Sequence, residues 1–370
     1  MKKLIALLLS LCTMLTVVGC SNKADTADNG AKDTLVVAQG ADPTSLDPYG
    51  TTDSPAIRVA HCVFETLVAR NIAPMLAESW DIEDDCTYIF HLRKGVKFHN
   101  GEELKASDVA FSFSKIAESP HASSIRATID FENSKALDDY TFEMKLTEPF
   151  GPILNHLSHA VMAIVNEKAY TEAGDQVNEK PCGTGPYKFV EWKQTDYLKG
   201  AKNENYWRPG LPKIDTITWV PVVDNNARSA MMRTGEAHFT FPVPYEQAAV
   251  LEKDEHLKLV AAPSIVTRYL NMNMLQKPFD DLRVRQAINY AINKEALAKV
   301  AFSGYAFPSE GPLPQGVDYA VKLGPWPYNP KKAKELLAEA GYPNGFETTL
   351  WSAYNHTTGQ KVIQFIQQQL

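Results

Sequence analysis

Ser112-Phe113-Ser114-Lys115 has the S-x-x-K pattern, in which a lysine one helical turn away activates an acylating serine. The pattern falls within a run read as helical and among aromatic residues, and no S-D-N or K-T-G companion accompanies it, so catalysis is not expected there. His156 and His159 stand three apart and could share one helix face, but no carboxylate or third ligand lies near enough in sequence to build a metal site. Packing or a surface position is the simpler reading. The sequence contains no G-x-S-x-G elbow, no H-E-x-x-H and no phosphate loop. Tyr187, Trp192, Tyr206 and Trp207 are interleaved with few basic residues, and the formal net charge is -7, so a nucleic-acid surface is excluded. Neither enzyme chemistry, nor a metal, nor a cofactor is expected.

The elements that would position functional groups alternate between strand and helix. Leu35–Gln39 is β-rich and closed by Gly40, and 42–48 follows as an irregular loop. Apolar residues at helical spacing (Ile57, Ala60, Phe64, Leu67) predict a helix over Asp53–Val68. Thr87–Leu92 alternates as a strand, Asn100-Gly101 marks a tight turn, and Ser107 is placed to cap a helix opening at Asp108. A β pair is predicted at Thr141–Leu146 and Ala163–Asn166. Strands follow at Lys188–Trp192, Ile214–Val220, Thr267–Met274 and Glu347–Trp351. Helices are predicted at Asn225–Gly235, Asp281–Tyr290, Lys294–Phe302 with Asn293 as cap, from Asn329-Pro330 to Gly341, and at Thr358–Leu370. The alternation predicts an α/β fold with mixed sheets. Leu370 falls inside a helix with no cap, after a strand that has just entered a crossover, so the chain reads as a fragment.

The N-terminus reads as an export signal. Met1-Lys2-Lys3 precedes an apolar run, Leu4–Val18, that is too short to span a membrane, and small Gly19 stands before Cys20. Residues 1–19 are expected to be removed and Cys20 to carry a lipid. Residues 20–32 are polar and read as a flexible tether. Loss of Lys2 and Lys3 with the leader takes the formal charge from -7 to -9. Hydrophobic residues at 44% and charged residues at 22% suit a folded body. With Cys12 in the leader and Cys20 lipidated, Cys62, Cys86 and Cys182 remain. An odd number without C-x-x-C spacing permits at most one internal disulfide, and these cysteines read as structural.

Several blocks carry a family resemblance: Ser45-Leu46-Asp47-Pro48, Pro74-Met75-Leu76-Ala77-Glu78-Ser79-Trp80, and Tyr88 through Gly101. They continue with Ala106 through Phe113, Gly183-Thr184-Gly185-Pro186-Tyr187, Phe279 through Ala287, and Asn329 through Leu337. In this order they resemble the family 5 extracellular solute-binding proteins, which serve peptide, glutathione and nickel importers, and the resemblance runs through essentially all of the chain after the tether. Trp192 through Tyr197, Tyr206 through Lys213, Pro221 through Asn226, Phe241 through Ala248 and Gly341 through Phe346 are most similar to the branch that serves glutathione importers. There are two departures. The 67–73 connection is shorter than is usual in the family, and family members are much longer at their end.

The resemblance implies a two-lobed periplasmic-binding-protein-like fold (type II, cluster C), with lobe I from 33–60 and 181–266, an extension subdomain from 61–180 and an incomplete lobe II from 267–370. It implies capture of glutathione or a short peptide between the lobes for ABC transporter permease subunits, by a monomer anchored through its lipid to the outer face of the cell membrane or the periplasmic membrane surface. Carboxylates of such a ligand call for guanidinium or helix-terminus donors. Thr44, Ser45 and Tyr49 follow the first strand. Arg268, Tyr269, Asn271 and Asn273 flank the strand expected to enter lobe II, with Arg268 as carboxylate partner. Trp351, Asn355, His356 and Thr357 occupy the strand-to-helix loop, where α/β folds tend to bind ligands. Dipeptide, oligopeptide, heme or nickel binding, a peptide-sensing lipoprotein and a nonfunctional fragment stay open as alternatives.

Overall fold

The computed structural model describes residues 33–317, 319–352 and 357–370, so the leader, Cys20 and the 20–32 tether lie outside the described residues. The α/β class is observed. The chain divides into two compact units, one ending at Val37 and resuming over Ala41–Pro221, the other comprising Ala38–Gly40 and Val222–Leu370.

The first unit holds a short antiparallel pair, Val68–Ala69 with Ala73–Pro74, and two larger sheets. In one, β1 (Thr34–Gln39) lies beside β8 (Thr216–Pro221), which pairs antiparallel with β7 (Tyr197–Lys202), which in turn pairs antiparallel with β6 (Tyr187–Lys193). The other is an antiparallel meander in the order β2 (Ala77–Asp84), β3 (Thr87–Leu92), β5 (Thr141–Leu146) and β4 (Ile129–Ala136). Phe90 faces Trp80 on one neighbour and Phe142 on the other. Helix α2 (Ala106–Glu118) lays Phe113 edge-on to Phe142 at 4.8 Å, and Asn166 caps α3 (Glu167–Ala173). One continuous apolar cluster fills this unit, and Phe90, Phe98 and Phe142 are its largest fully buried side chains.

Helix α1 spans Ser54–Val63 and stops earlier than its apolar spacing predicted. Phe64 and Leu67 are buried beyond its end, where Glu65 bridges Ile164 in extended backbone. Residues 163–166 form no strand beyond that bridge, and the partners of β5 are β3 and β4. Helix α2 begins at Ala106 rather than Asp108. Asp108 accepts the Lys105 N–H at 3.0 Å, so the cap is supplied from the third helical residue and Ser107 lies inside the first turn. A Cβ on Gly183 would lie 2.1 Å from the Val63 carbonyl oxygen, and one on Gly185 would lie 2.6 Å from that of Cys62. The Gly-Thr-Gly block is therefore a close backbone approach, which only glycine permits.

In the second unit, β9 spans Phe239–Phe241, and Thr240 Oγ1 donates to the Ala38 carbonyl at 2.9 Å. Of its helix caps, the sequence pointed to Asn293 and Asn329 but not to Asp224 or Asp281. Asp224 caps α4 (Asn225–Thr234), Asp281 caps α6 (Leu282–Ala291), Asn293 caps α7 (Lys294–Phe302) and Asn329 caps α8 (Pro330–Glu339); α5 spans Tyr245–Leu251 and α9 spans Thr357–Gln369. Gly235 closes α4 in the left-handed conformation. The predicted strands at Thr267–Met274 and Glu347–Trp351 are not formed. Leu270 and Met272 pack inward while Tyr269, Asn271 and Asn273 are exposed, so the alternation that suggested a strand is present without strand pairing among the described residues.

Candidate ligand-binding site

The loop after β1 is braced by carboxylates. Asp42 accepts Trp192 Nε1–H at 3.1 Å and the Thr195 amide at 2.7 Å. Asp53 caps α1 by accepting the Ala56 amide at 2.8 Å, and its other oxygen accepts the Thr44 amide at 3.2 Å, the Thr44 hydroxyl and the Thr51 hydroxyl at 2.8 Å. Burial pushes the Asp53 carboxyl up, but these donors outweigh it and hold it below the ordinary value. Ser45 donates to Asn178 Oδ1 at 2.8 Å and accepts the Asp47 amide at 3.0 Å, and Asn178 Oδ1 also accepts the Leu46 amide at 2.6 Å. Tyr49, only 5% exposed, donates to the Ala163 carbonyl at 2.7 Å. The structure thus brings Thr44, Ser45 and Tyr49 into one loop and gives them different tasks. Thr44 is exposed, Ser45 is half-buried, and Tyr49 is a buried pillar that rests on Ala163.

In the second unit Arg268, Asn271 and Asn273 are exposed, as are Tyr269 (80%) and Trp351 (87%). Asn273 Oδ1 accepts the Leu275 amide at 3.1 Å, which makes it a turn-former as well as a candidate contact. The two segments meet through their inward residues, because Leu270, Met272 and Leu350 pack on the same cluster of Val284, Ile288, Ile292 and Ile366. Trp351 stands on the surface, so core packing does not explain it. Thr357 is the first residue of α9 and is exposed; Asn355 and His356 lie outside the described residues.

Glu65 had no place in the sequence reading. Its carboxylate is buried and accepts Thr184 Oγ1–H at 2.9 Å, Tyr206 O–H at 2.8 Å and Trp207 Nε1–H at 2.8 Å. Burial raises its pKa against the pull of these donors and of the Arg208 charge. Arg93 and Arg208 lie against the Trp207 ring, 4.7 and 4.6 Å from its centroid. A groove of about 360 Å³ beside Tyr206 is lined by Tyr187, Leu211, Pro212 and Lys213. A lone charge within the apolar run Val63-Phe64-Glu65-Thr66-Leu67-Val68 was the signal that could have revealed this hub. Asn178 sits in a polar stretch and offered none.

The S-x-x-K serine is spent on structure. Ser112 is fully buried, donates to the Asp108 carbonyl at 2.7 Å and accepts the Val165 amide at 3.0 Å, while Lys115 pairs with Glu118 at 3.0 Å. Among the described residues no group of three or more His, Cys, Asp and Glu side chains is arranged to hold a metal ion. Cys62, Cys86 and Cys182 are free, and burial pushes the Cys62 thiol up to about 12. No helix among the described residues is long and apolar enough to cross a membrane.

Comparison with known proteins gives this arrangement a lineage. The family model described as bacterial extracellular solute-binding proteins, family 5 middle, matches residues 71–370. The glutathione-binding protein GsiB of Pectobacterium atrosepticum is 51% identical over 92% of this chain, and that of Escherichia coli K12 is 47% identical over 92%; the chain spans 67% of the length of each. The structure of DppA from Helicobacter pylori in complex with the peptide STSA superposes with a TM-score of 0.75 at 34% identity, covering 91% of this chain and 71% of that one. AppA from Bacillus subtilis in complex with a nonapeptide gives 0.73 at 26% identity, with 91% and 72% covered. The chain belongs to the bacterial extracellular solute-binding proteins, family 5.

Proposed function

We propose that this chain captures glutathione, with Arg268 as the partner of a ligand carboxylate, as the solute-binding component of an ABC importer. The observation that carries this reading is the 51% identity, over 92% of the chain, to a glutathione-binding protein. Arg268 offers a guanidinium to a ligand carboxylate, Tyr269 and Trp351 offer flat apolar surface, and Thr44 and Ser45 offer hydroxyls on a braced loop. In this proposal the chain works as a monomer with lobe I from 33–60 and 181–266, the 61–180 extension, and lobe II from 267. Cys20 carries the lipid, and replacing it with Ser moves the protein from the membrane fraction to the soluble one. A protein that stays with the membrane would exclude that anchor.

A short peptide is the second reading, favoured by the 34% identity to DppA, whose structure holds the peptide STSA. Calorimetric titration of the chain from Cys20 onward, with Cys20→Ser, separates the two. Saturable heat with glutathione but not with a tetrapeptide supports the first reading, and the reverse pattern supports the second. Arg268→Ala should weaken whichever ligand binds by about tenfold or more, the loss of one charge-assisted hydrogen bond. A folded chain that binds neither ligand overturns both readings.

A further inference from the structure

Three histidines and an arginine meet in the first unit where α1, the 70–72 turn and residues 156–162 come together. Arg70 Nη2 lies 3.4 Å from His61 Nε2. A guanidinium can only donate, so His61 must accept through an unprotonated Nε2. His159 Nδ1 accepts the Val161 amide at 3.2 Å and caps the turn Ala160–Met162, and this nitrogen too must be unprotonated. His156 Nδ1 is buried with no partner, and its ring stands edge-on to Phe150 at 4.9 Å. The charges acting on His61 are those of Arg70 and His159; those acting on His159 are Arg70 and His156. All are cationic or become so in acid. Arg58, one turn earlier on α1, has its charge offset by Asp53.

The backbone around the arginine is already strained. Asn71 (φ 62°) and Ile72 (φ 56°) both sit in the left-handed region, which a β-branched residue such as isoleucine rarely adopts. The small antiparallel pair Val68–Ala69 with Ala73–Pro74 holds them there. Downstream of His159, Ala163 accepts the Tyr49 hydroxyl, and the Ile164 amide donates to the Glu65 carbonyl at 2.9 Å.

We propose that His61, Arg70 and His159 form an acid-released latch, whose opening frees the 70–72 and 159–162 turns and withdraws the support of Ala163 from Tyr49. Protonated His61 would turn a second N–H toward the guanidinium, and protonated His159 would turn an N–H toward the Val161 amide; each loses the hydrogen bond it now accepts. Partial desolvation, and then the neighbouring cations, hold both imidazoles below their ordinary 6.5, His159 being half-buried and His61 lying at the surface. The neutral forms are therefore the stabilising ones. Their contribution is present above pH 6.5 and is lost as the pH falls through the lowered values. His99, buried and lowered to about 4, also costs stability as the pH falls below 6.5, but that loss is global and is shared by the amides of β3, against which the local fall is read.

Amide hydrogen exchange between pH 7.5 and 5.0, without any ligand, tests the latch independently of what the protein binds. Protection at Val161, Met162 and Ile164 should fall about tenfold for each unit by which an imidazole is shifted, while amides of β3 keep theirs. His61→Asn with His159→Asn retains side-chain acceptors that do not titrate, so the fall should vanish. Arg70→Gln removes the fixed cation and should reduce the fall, which keeps the test decisive if the double variant does not fold. Wild-type protection that is flat across this range, or an equal fall in the double variant or in Arg70→Gln, overturns the proposal. If the 44–49 loop also contacts ligand, glutathione affinity should drop in the same pH interval. An opening latch with unchanged affinity would count against that loop as part of the site, while leaving the latch standing.

Discussion

The two units spend their apolar residues differently. The first gathers them into one cluster that runs from Val37 to Trp219 and surrounds a buried carboxylate hub. The second divides them between two small clusters and leaves Leu275 94% and Tyr319 96% exposed. A large continuous core excludes water, so a carboxylate inside it is costly unless it is paired, and Glu65 accepts three donors. A small cluster under short helices can be organised by local devices alone, by caps and turns, and the second unit is built that way.

The sharpest way to break the comparison is to cut the same kind of hole in each unit. Phe142→Ala removes a ring with no exposed surface that contacts Phe113 and pairs across to Phe90, and should cost about 3–5 kcal/mol in the first unit. Leu336→Ala, in the small cluster with Ala287 and Ala333, should cost about 2 kcal/mol, near the lower end for such truncations, because few atoms surround the hole. Urea unfolding followed by hydrogen exchange in each unit measures both. Equal costs would mean that the second unit is as tightly built as the first.

Glu65 sharpens the contrast from the polar side. Glu65→Ala strands the hydroxyls of Thr184 and Tyr206 and the Trp207 N–H in a dry core, and should cost about 3 kcal/mol. Glu65→Gln keeps one oxygen for Thr184 and Trp207 and offers an amide to Tyr206, so it should cost about 1 kcal/mol. The glutamine variant should also be less sensitive to rising pH, since burial raises the Glu65 pKa and the ionised form is the one it penalises. A glutamine variant as damaged as the alanine one would place the weight of the hub on charge, in the attraction of Arg208, rather than on hydrogen bonds.

The same contrast explains what could be read from the sequence. Asn293, Asn329-Pro330 and Gly235 announced their helix ends because a cap involves only neighbours in the chain. Strands need partners that local pattern does not name. β2, β4 and β7 were not anticipated, while Thr267–Met274 and Glu347–Trp351 carried apolar spacing without pairing. The helix predicted to Val68 failed for a related reason, since Phe64 and Leu67 are buried by the sheet-forming segment and not by a helix face. Within the candidate site, the family blocks did not show the separate duties of neighbouring residues. Nothing in the residues told Tyr49, a pillar, from Thr44, an exposed hydroxyl, because that difference depends on Ala163 and Asp53 in folded space.

Caps give the smallest effect and the finest test, because here the two units should differ in consequence more than in cost. Asn293→Ala removes one acceptor from the Ala296 amide and should cost about 1 kcal/mol, confined to α7. Asp53→Ala removes the same kind of cap from α1, but also the acceptor that holds the Thr44 amide and hydroxyl. Its stability cost should stay near 1–2 kcal/mol, whereas its effect should spread into the 42–53 loop. Asp53→Asn, which can still accept from Ala56 with one oxygen, should recover most of the helix cap but less of the loop. Calorimetric affinity for glutathione should then rank wild type above Asp53→Asn above Asp53→Ala, with Asn293→Ala indistinguishable from wild type. If both cap variants leave affinity unchanged, the bracing of Thr44 serves the fold of the first unit alone.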